Sequence, residues 1–214
     1  EKDGGFYNVS PVISPDGTKF AFISNRDDLF DVFIADTKTG EVLDKIVKGN
    51  TSSNFEELQV LTPGLCWSPD GKKIAISVKV GDKDAIFIID VNSGDKRKIT
   101  TDFDAITYVN WSPDKNKLAF IGSTSKESNI FIYNLSTNRI EAITNDVFSD
   151  YNPSWSPDGK FIYFSSDRGK YISRDSIPSD FKIVHFNPQN RDLYKVDISS
   201  KIITRLTDVP NSKL

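Results

Sequence analysis

Ser14-Pro15-Asp16-Gly17 is a four-residue turn, and the chain writes it three more times: Ser68-Pro69-Asp70-Gly71, Ser112-Pro113-Asp114-Lys115 and Ser156-Pro157-Asp158-Gly159. A tryptophan stands directly before the last three copies, as Trp67, Trp111 and Trp155. Each copy has the chemistry of a tight hairpin. Proline in second place presets φ for a type I turn, and aspartate tolerates the slot that follows. Glycine then takes the left-handed conformation that returns the chain as a bulged hairpin. Four such turns with matching flanks are an internal repeat, and a repeat decides the fold ahead of any single residue.

The turns set a period. From turn serine to the polar residue that ends the third apolar run is 22 residues for Ser14 to Asp36, Ser68 to Asp90 and Ser112 to Asn134. From Asp90 to Ser112, and from Asn134 to Ser156, is again 22, so the unit is 44 residues. Two intervals depart from it: Asp36 to Ser68 carries 10 extra residues and Ser156 to Asp197 carries 19. Between turns lie short runs rich in Ile, Phe, Tyr and Val, such as Lys117-Leu118-Ala119-Phe120-Ile121 and Ile130-Phe131-Ile132-Tyr133, which read as strands. A second turn follows each third run, with Gly40, Gly94 and Asn138 four places past the marker, where a positive φ is needed. The fourth copy has Lys201 there and is the less secure turn. A closing run, such as Ala142-Ile143-Thr144 or Arg205-Leu206-Thr207, completes the unit, and no stretch reads as a helix.

Four antiparallel strands in a 44-residue unit are the blade of a β-propeller. The fold class is therefore all-β, with four blades at about 6–50, 60–101, 105–145 and 150–208, and insertions at about 50–60 and 169–191. A sandwich of hairpins competes, but it does not demand a constant register from unit to unit. An offset of 142 lays the fourth unit over the first, so that Pro153 falls on Pro11 and Phe148 on Phe6.

Bulk composition narrows the function classes. With 214 residues, 37% hydrophobic and 27% charged, the chain can bury a sizeable core. A net charge of -3 makes no electrostatic case for nucleic acid or an anionic membrane. No apolar run approaches the roughly 18 residues of a membrane helix. The single cysteine, Cys66, excludes an internal disulfide and a cysteine-rich metal site, and reads as a buried thiol. The chain starts at Glu1 and contains no methionine, which reads as a processed or excised piece.

The stretch Asn152-Pro153-Ser154-Trp155-Ser156-Pro157-Asp158-Gly159, continued by Lys160-Phe161-Ile162-Tyr163-Phe164-Ser165-Ser166-Asp167-Arg168-Gly169, resembles the WD-like repeat of the TolB-type β-propeller family. Leu206-Thr207-Asp208 matches the close of that repeat. The resemblance runs the length of the chain and departs at Ile13, where the repeat has Trp, and at Lys115, where it has Gly. It implies a propeller and, by family habit, a bacterial envelope protein, periplasmic or extracellular. It does not select a function, because the same repeat occurs in prolyl-oligopeptidase and tricorn-like propellers and in oligogalacturonate lyases.

Chemistry read from the residues is sparse. There is no Gly-x-Ser-x-Gly elbow, and His185 is the one histidine, so no hydrolase triad can be assembled. One His and one Cys cannot build an imidazole or thiolate metal centre, and the carboxylates Asp27-Asp28 and Asp82-x-Asp84 lack a calcium-loop pattern. No catalytic residue, cofactor or metal is expected. The turn residues Pro15, Asp16, Gly17, Pro69, Asp70, Gly71, Pro113, Asp114, Pro157, Asp158 and Gly159 are scaffold, and the three tryptophans are packing between blades.

The two insertions are the functional lead. In a meander, both short turns of each unit lie on one face, and both insertions lengthen the opposite face, where repeat proteins often bind. The candidate binding residues are Phe55 in the first insertion and Arg168, Lys170, Tyr171, Arg174, Phe181, His185 and Phe186 at the second. Arg and aromatic residues are the types enriched at interface hot spots. The competing reading is a long loop that packs its own aromatics over a blade edge. The function expected is a non-catalytic scaffold for a protein or peptide partner. The alternatives are the gating propeller of a larger serine peptidase and a carbohydrate-binding propeller. The four blades are expected to be part of a larger ring, an open arc whose apolar blade faces self-associate; the alternative, a closed four-blade ring, would run as a monomer on a sizing column.

Overall fold

The computed structural model describes residues 7–27, 30–47, 57–58 (backbone only), 64–125, 127–181 and 191–208. Phe55, His185 and Phe186 lie outside these residues. The first sheet is an antiparallel meander of β1 (Asn8–Ile13), β2 (Lys19–Ser24), β3 (Asp31–Asp36) and β4 (Val42–Val47). The second contains β5 (Glu57–Leu58), β6 (Leu65–Trp67), β7 (Lys73–Val80), β8 (Lys83–Asp90) and β9 (Lys96–Thr100). The third runs β10 (Ala105–Trp111), β11 (Lys117–Ser123), β12 (Ser128–Asn134), β13 (Arg139–Ala142). The fourth runs β14 (Asp150–Trp155), β15 (Phe161–Ser166), β16 (Asp192–Asp197), β17 (Ile203–Arg205). These are four propeller blades. A single 3-10 turn, Arg174–Ser176, is the one helical element among the described residues.

The second sheet has a fifth strand that the period does not foresee. Leu58 pairs with Val78 and Leu65 with Ile76, so β5 and β6 take successive places along the same edge of β7.

The repeated turn closes the same way in each blade. Gly17 N–H donates to the Ser14 carbonyl at 2.8 Å, and Ser14 N–H to the Lys19 carbonyl at 2.8 Å. The Ser14 hydroxyl donates to Asp16 at 2.6 Å and accepts from Lys19 N–H at 3.0 Å. Ser68 with Asp70, Ser112 with Asp114 and Ser156 with Asp158 repeat this bond at 2.7, 2.5 and 2.6 Å. Asp16 also accepts from Thr18 N–H. The Ser14 hydroxyl and this amide hold its carboxyl at about 2. These aspartates are occupied as caps.

Lys115 takes the glycine place with φ 66°, a left-handed conformation that costs a side-chain-bearing residue energy. Lys115→Gly is therefore expected to stabilise the chain by about 0.5–1 kcal/mol, read as a raised midpoint in urea. In the second turn, Gly40, Gly94, Asn138 and Lys201 all have positive φ, at 69°, 74°, 57° and 60°. Lys201 completes its turn by donating N–H to the Asp197 carbonyl at 2.8 Å.

A further repeated irregularity bends the innermost strands. Ser10, Tyr108 and Asn152, which are equivalent by register, have φ of 59°, 55° and 52°. Pairing slips at this point between Val9 and Val12 and between Tyr151 and Ser154, the mark of a β-bulge. The corresponding residue of the second blade is Gly64. A Cβ there would stand 2.6 Å from Val109 Cγ2 and 2.7 Å from Ser77 Oγ, so this glycine serves close approach.

The chain divides between Trp111 and Ser112 into two compact units. In the first, Ala21, Ile23, Val32 and Ile34 of the first blade form one buried cluster with Trp67, Ile74, Ile76 and Phe87 of the second. Trp67 Nε1 donates to the Val12 carbonyl at 2.9 Å, joining the two blades. Cys66 is partly buried, and burial pushes its thiol up to about 12. In the second unit, Leu118, Phe120, Ile130 and Ile132 of the third blade and Ile162, Phe164, Tyr194 and Val196 of the fourth are buried.

The outer strands β13 and β17 stop at Ala142 and Arg205, short of the closing runs read from the sequence. The cause is side-chain competition for the ladder. Thr144 Oγ1 accepts the Ile130 N–H at 2.8 Å, and Thr207 Oγ1 accepts the Leu193 N–H at 2.9 Å. A hydroxyl thus ends each strand where a carbonyl would continue it.

Candidate functional site

Beyond β15 the chain enters the blade-four insertion at Arg168. This residue is fully buried, although it was expected on a binding surface. Its Nη1 donates to Asp146 at 2.8 Å, its Nη2 to Asp150 at 2.6 Å and its Nε to Ser166 Oγ at 3.1 Å. The guanidinium lies 5.3 Å from the Phe164 ring centre, 5.6 Å from Tyr194 and 5.9 Å from Phe148. Asp150 also accepts from Thr144 Oγ1 at 2.6 Å, so the strand-ending threonine reaches the same site. An arginine in this setting is an anchor: two carboxylates neutralise it, and aromatic faces replace water around it.

The aromatics of the insertion pack onto that anchor. Phe148 stacks on Tyr171 with ring centres 5.7 Å apart and planes at 8°. Phe181 meets Phe148 edge-on at 5.6 Å and Tyr171 at 5.3 Å. Tyr194 Oη donates to the Gly169 carbonyl at 2.6 Å, and Tyr171 N–H bonds to the Arg168 carbonyl at 3.1 Å. Tyr171 and Phe181 are half-buried, whereas Lys170, Ile172 and Arg174 are exposed. The candidate residues thus separate into an inward half, Arg168, Tyr171 and Phe181, and an outward half, Lys170 and Arg174. Ile172 joins the outward half with 45% exposure and is absent from the sequence-derived set.

Asp146, Phe148 and Asp150 were not singled out either. All three are buried, with exposed Val147 between the first two, in a segment that bends over 146–148 and joins β14 at Asp150.

Electrostatics at the anchor favour a charged Arg168 and a strained Asp150. Burial works against the arginine, but Asp150 and Asp146 outweigh it and raise its pKa. Burial pushes Asp150 up to about 6 in spite of Arg168 and the Thr144 hydroxyl. With the folded value above the unfolded one, the native state binds the extra proton between about pH 4 and 6. The contribution of Asp150 to stability is therefore greatest below pH 4 and falls as pH rises through 6. We expect denaturant unfolding to show about 1–3 kcal/mol of stability lost across that window, and Asp150→Asn to remove the slope.

Among the described residues, no group of three or more His, Cys, Asp and Glu could hold a metal ion. Asp84 is buried and accepts the Ile106 N–H at 2.7 Å, and Asp27 pairs with Lys45. No described helix is long and apolar enough to cross a membrane.

The model of the TolB beta propeller domain matches residues 7–121 and 59–171 of this chain. Among solved structures, the chain is similar to TolB from Acinetobacter baumannii, with 20% identity and a TM-score of 0.69 over 95% of this chain and 44% of that one. It is also similar to a putative TolB from Agrobacterium tumefaciens, with 21% identity and a TM-score of 0.69 over 98% of this chain and 69% of that one. A structure of prolyl endopeptidases matches with 17% identity and a TM-score of 0.62 over 94% of this chain and 29% of that one. The chain thus spans less than half the length of the Acinetobacter protein. No curated protein sequence matches it.

Proposed function

The chain belongs to the TolB beta propeller domain family, and from that premise we propose that it is a non-catalytic scaffold binding a protein or peptide partner through the blade-four insertion. The observation that carries this reading is the division of labour within the insertion. Buried Arg168 and half-buried Tyr171 and Phe181 brace residues 169–181, while Lys170, Ile172 and Arg174 stay outside. A braced segment that exposes two cations and an apolar side chain loses little conformational entropy on binding, which is what a recognition surface requires. Cations in this pattern favour an acidic partner segment. The compartment that goes with this reading is the periplasm or the extracellular space.

A library of displayed random peptides selected on the immobilised chain tests the proposal. Acidic peptides should be enriched on the native chain and lost on Lys170→Glu/Ile172→Ser/Arg174→Glu, whose exposed substitutions leave the melting temperature unchanged. Equal retention on both proteins, or no enrichment, would sink it.

A further inference from the structure

Arg168 has a counterpart in the first blade whose carboxylates are missing. The ladders superpose: Asn8 pairs with Ser24 and Ser24 with Asp31, as Asp150 pairs with Ser166 and Ser166 with Asp192. Arg26 stands two residues past Ser24, as Arg168 stands two past Ser166. Its guanidinium lies 5.2 Å from the Phe22 ring centre and 5.0 Å from Phe33, the counterparts of Phe164 and Tyr194. The second cation is conserved in place too: Lys45 reaches Asp31 at 2.9 Å, as Arg205 reaches Asp192 at 2.5 Å.

The difference lies in the acids. In the places of Asp146 and Asp150 the first blade has Gly4, outside the described residues, and Asn8. Among the described residues the buried Nε of Arg26 has no hydrogen-bond partner. The neighbouring carboxylates of Asp27 and Asp31 are both held by Lys45. Among the described residues, one blade therefore repeats the aromatic cradle and the arginine of the other without a carboxylate in the place of Asp150. A partly buried guanidinium lacking its anion is costly, and a planar carboxylate matches its fork of donors.

We propose that Arg26 is an open carboxylate-binding site, taking an acidic group from outside the chain in the place that Asp150 and Asp146 fill on Arg168. This proposal is independent of the blade-four insertion, so either can fail alone.

The Arg26 Nε–H resonance reports on the site in nitrogen-proton NMR of the whole chain, assigned by its loss in Arg26→Lys. Acetate should shift it saturably, and chloride at matched ionic strength should not. Asn8→Asp, which supplies the carboxylate from within, should weaken acetate binding about tenfold or more. An acetylated, amidated peptide of residues 146–150 identifies the source of the ligand. Binding about tenfold or more tighter than acetate points to an acidic side chain of a peptide partner, and equal binding to a small free carboxylate. No saturable shift in the native chain, an equal shift with chloride, or a response unaltered by Asn8→Asp overturns the proposal.

Discussion

Arg168→Leu is expected to lower unfolding stability at pH 7 by about 3–5 kcal/mol, the largest loss of any single substitution in the insertion. The reason is what it leaves behind. Asp150 is fully buried and Asp146 nearly so, and both give their shortest ion-pair contacts to this guanidinium. Removing the cation strands two carboxylates in a low-dielectric site, which costs more than the pair itself contributes. The loss should shrink at pH 5, where Asp150, already up at about 6 through burial, takes a proton. Arg168→Leu combined with Asp146→Asn and Asp150→Leu should recover most of the loss, because no charge is then left unpaired. Denaturant unfolding of both variants measures this, and a single-variant loss under about 1 kcal/mol would contradict the anchor role.

Phe148→Ala should cost a further about 3–5 kcal/mol on its own, as expected for deleting a phenyl ring from a packed interior. Phe148 is 1% exposed and touches the guanidinium on one side and the Tyr171 and Phe181 rings on the other. It thus touches both the charged anchor and the Tyr171 and Phe181 rings. The two substitutions should therefore be less than additive, with a coupling of about 1 kcal/mol or more in a double-mutant cycle. Trypsin cleavage after Arg174, whose side chain is exposed, should accelerate in the Phe148→Ala variant while the blades stay folded. Full additivity would mean that the ring and the arginine stabilise the chain separately.

The scaffold was legible because its signals are local. Pro15, Asp16 and Gly17 dictate a turn within four residues, and three further copies at constant register count the blades. The fifth strand of the second sheet was not legible, because Glu57 and Leu58 fall in a stretch with no repeat to follow. Arg168 reads as a surface residue for a similar reason. Its acids lie 18 and 22 residues upstream, and composition within the loop carries no trace of them. Lys170 and Arg174 are exposed and need no distant partner.

The claim at the centre of this account is that residues 169–181 are held in one conformation by Arg168, so that the surface they present exists before any partner arrives. Hydrogen exchange of individual amides measures this directly. Tyr171, Ile177 and Phe181 donate their N–H groups to the Arg168, Arg174 and Pro178 carbonyls. They should exchange more slowly than unstructured chain in the native protein and lose that protection in Arg168→Leu, while the β11 amide of Phe120 keeps its own. Exchange of those three amides at the unstructured rate in the native protein would contradict it.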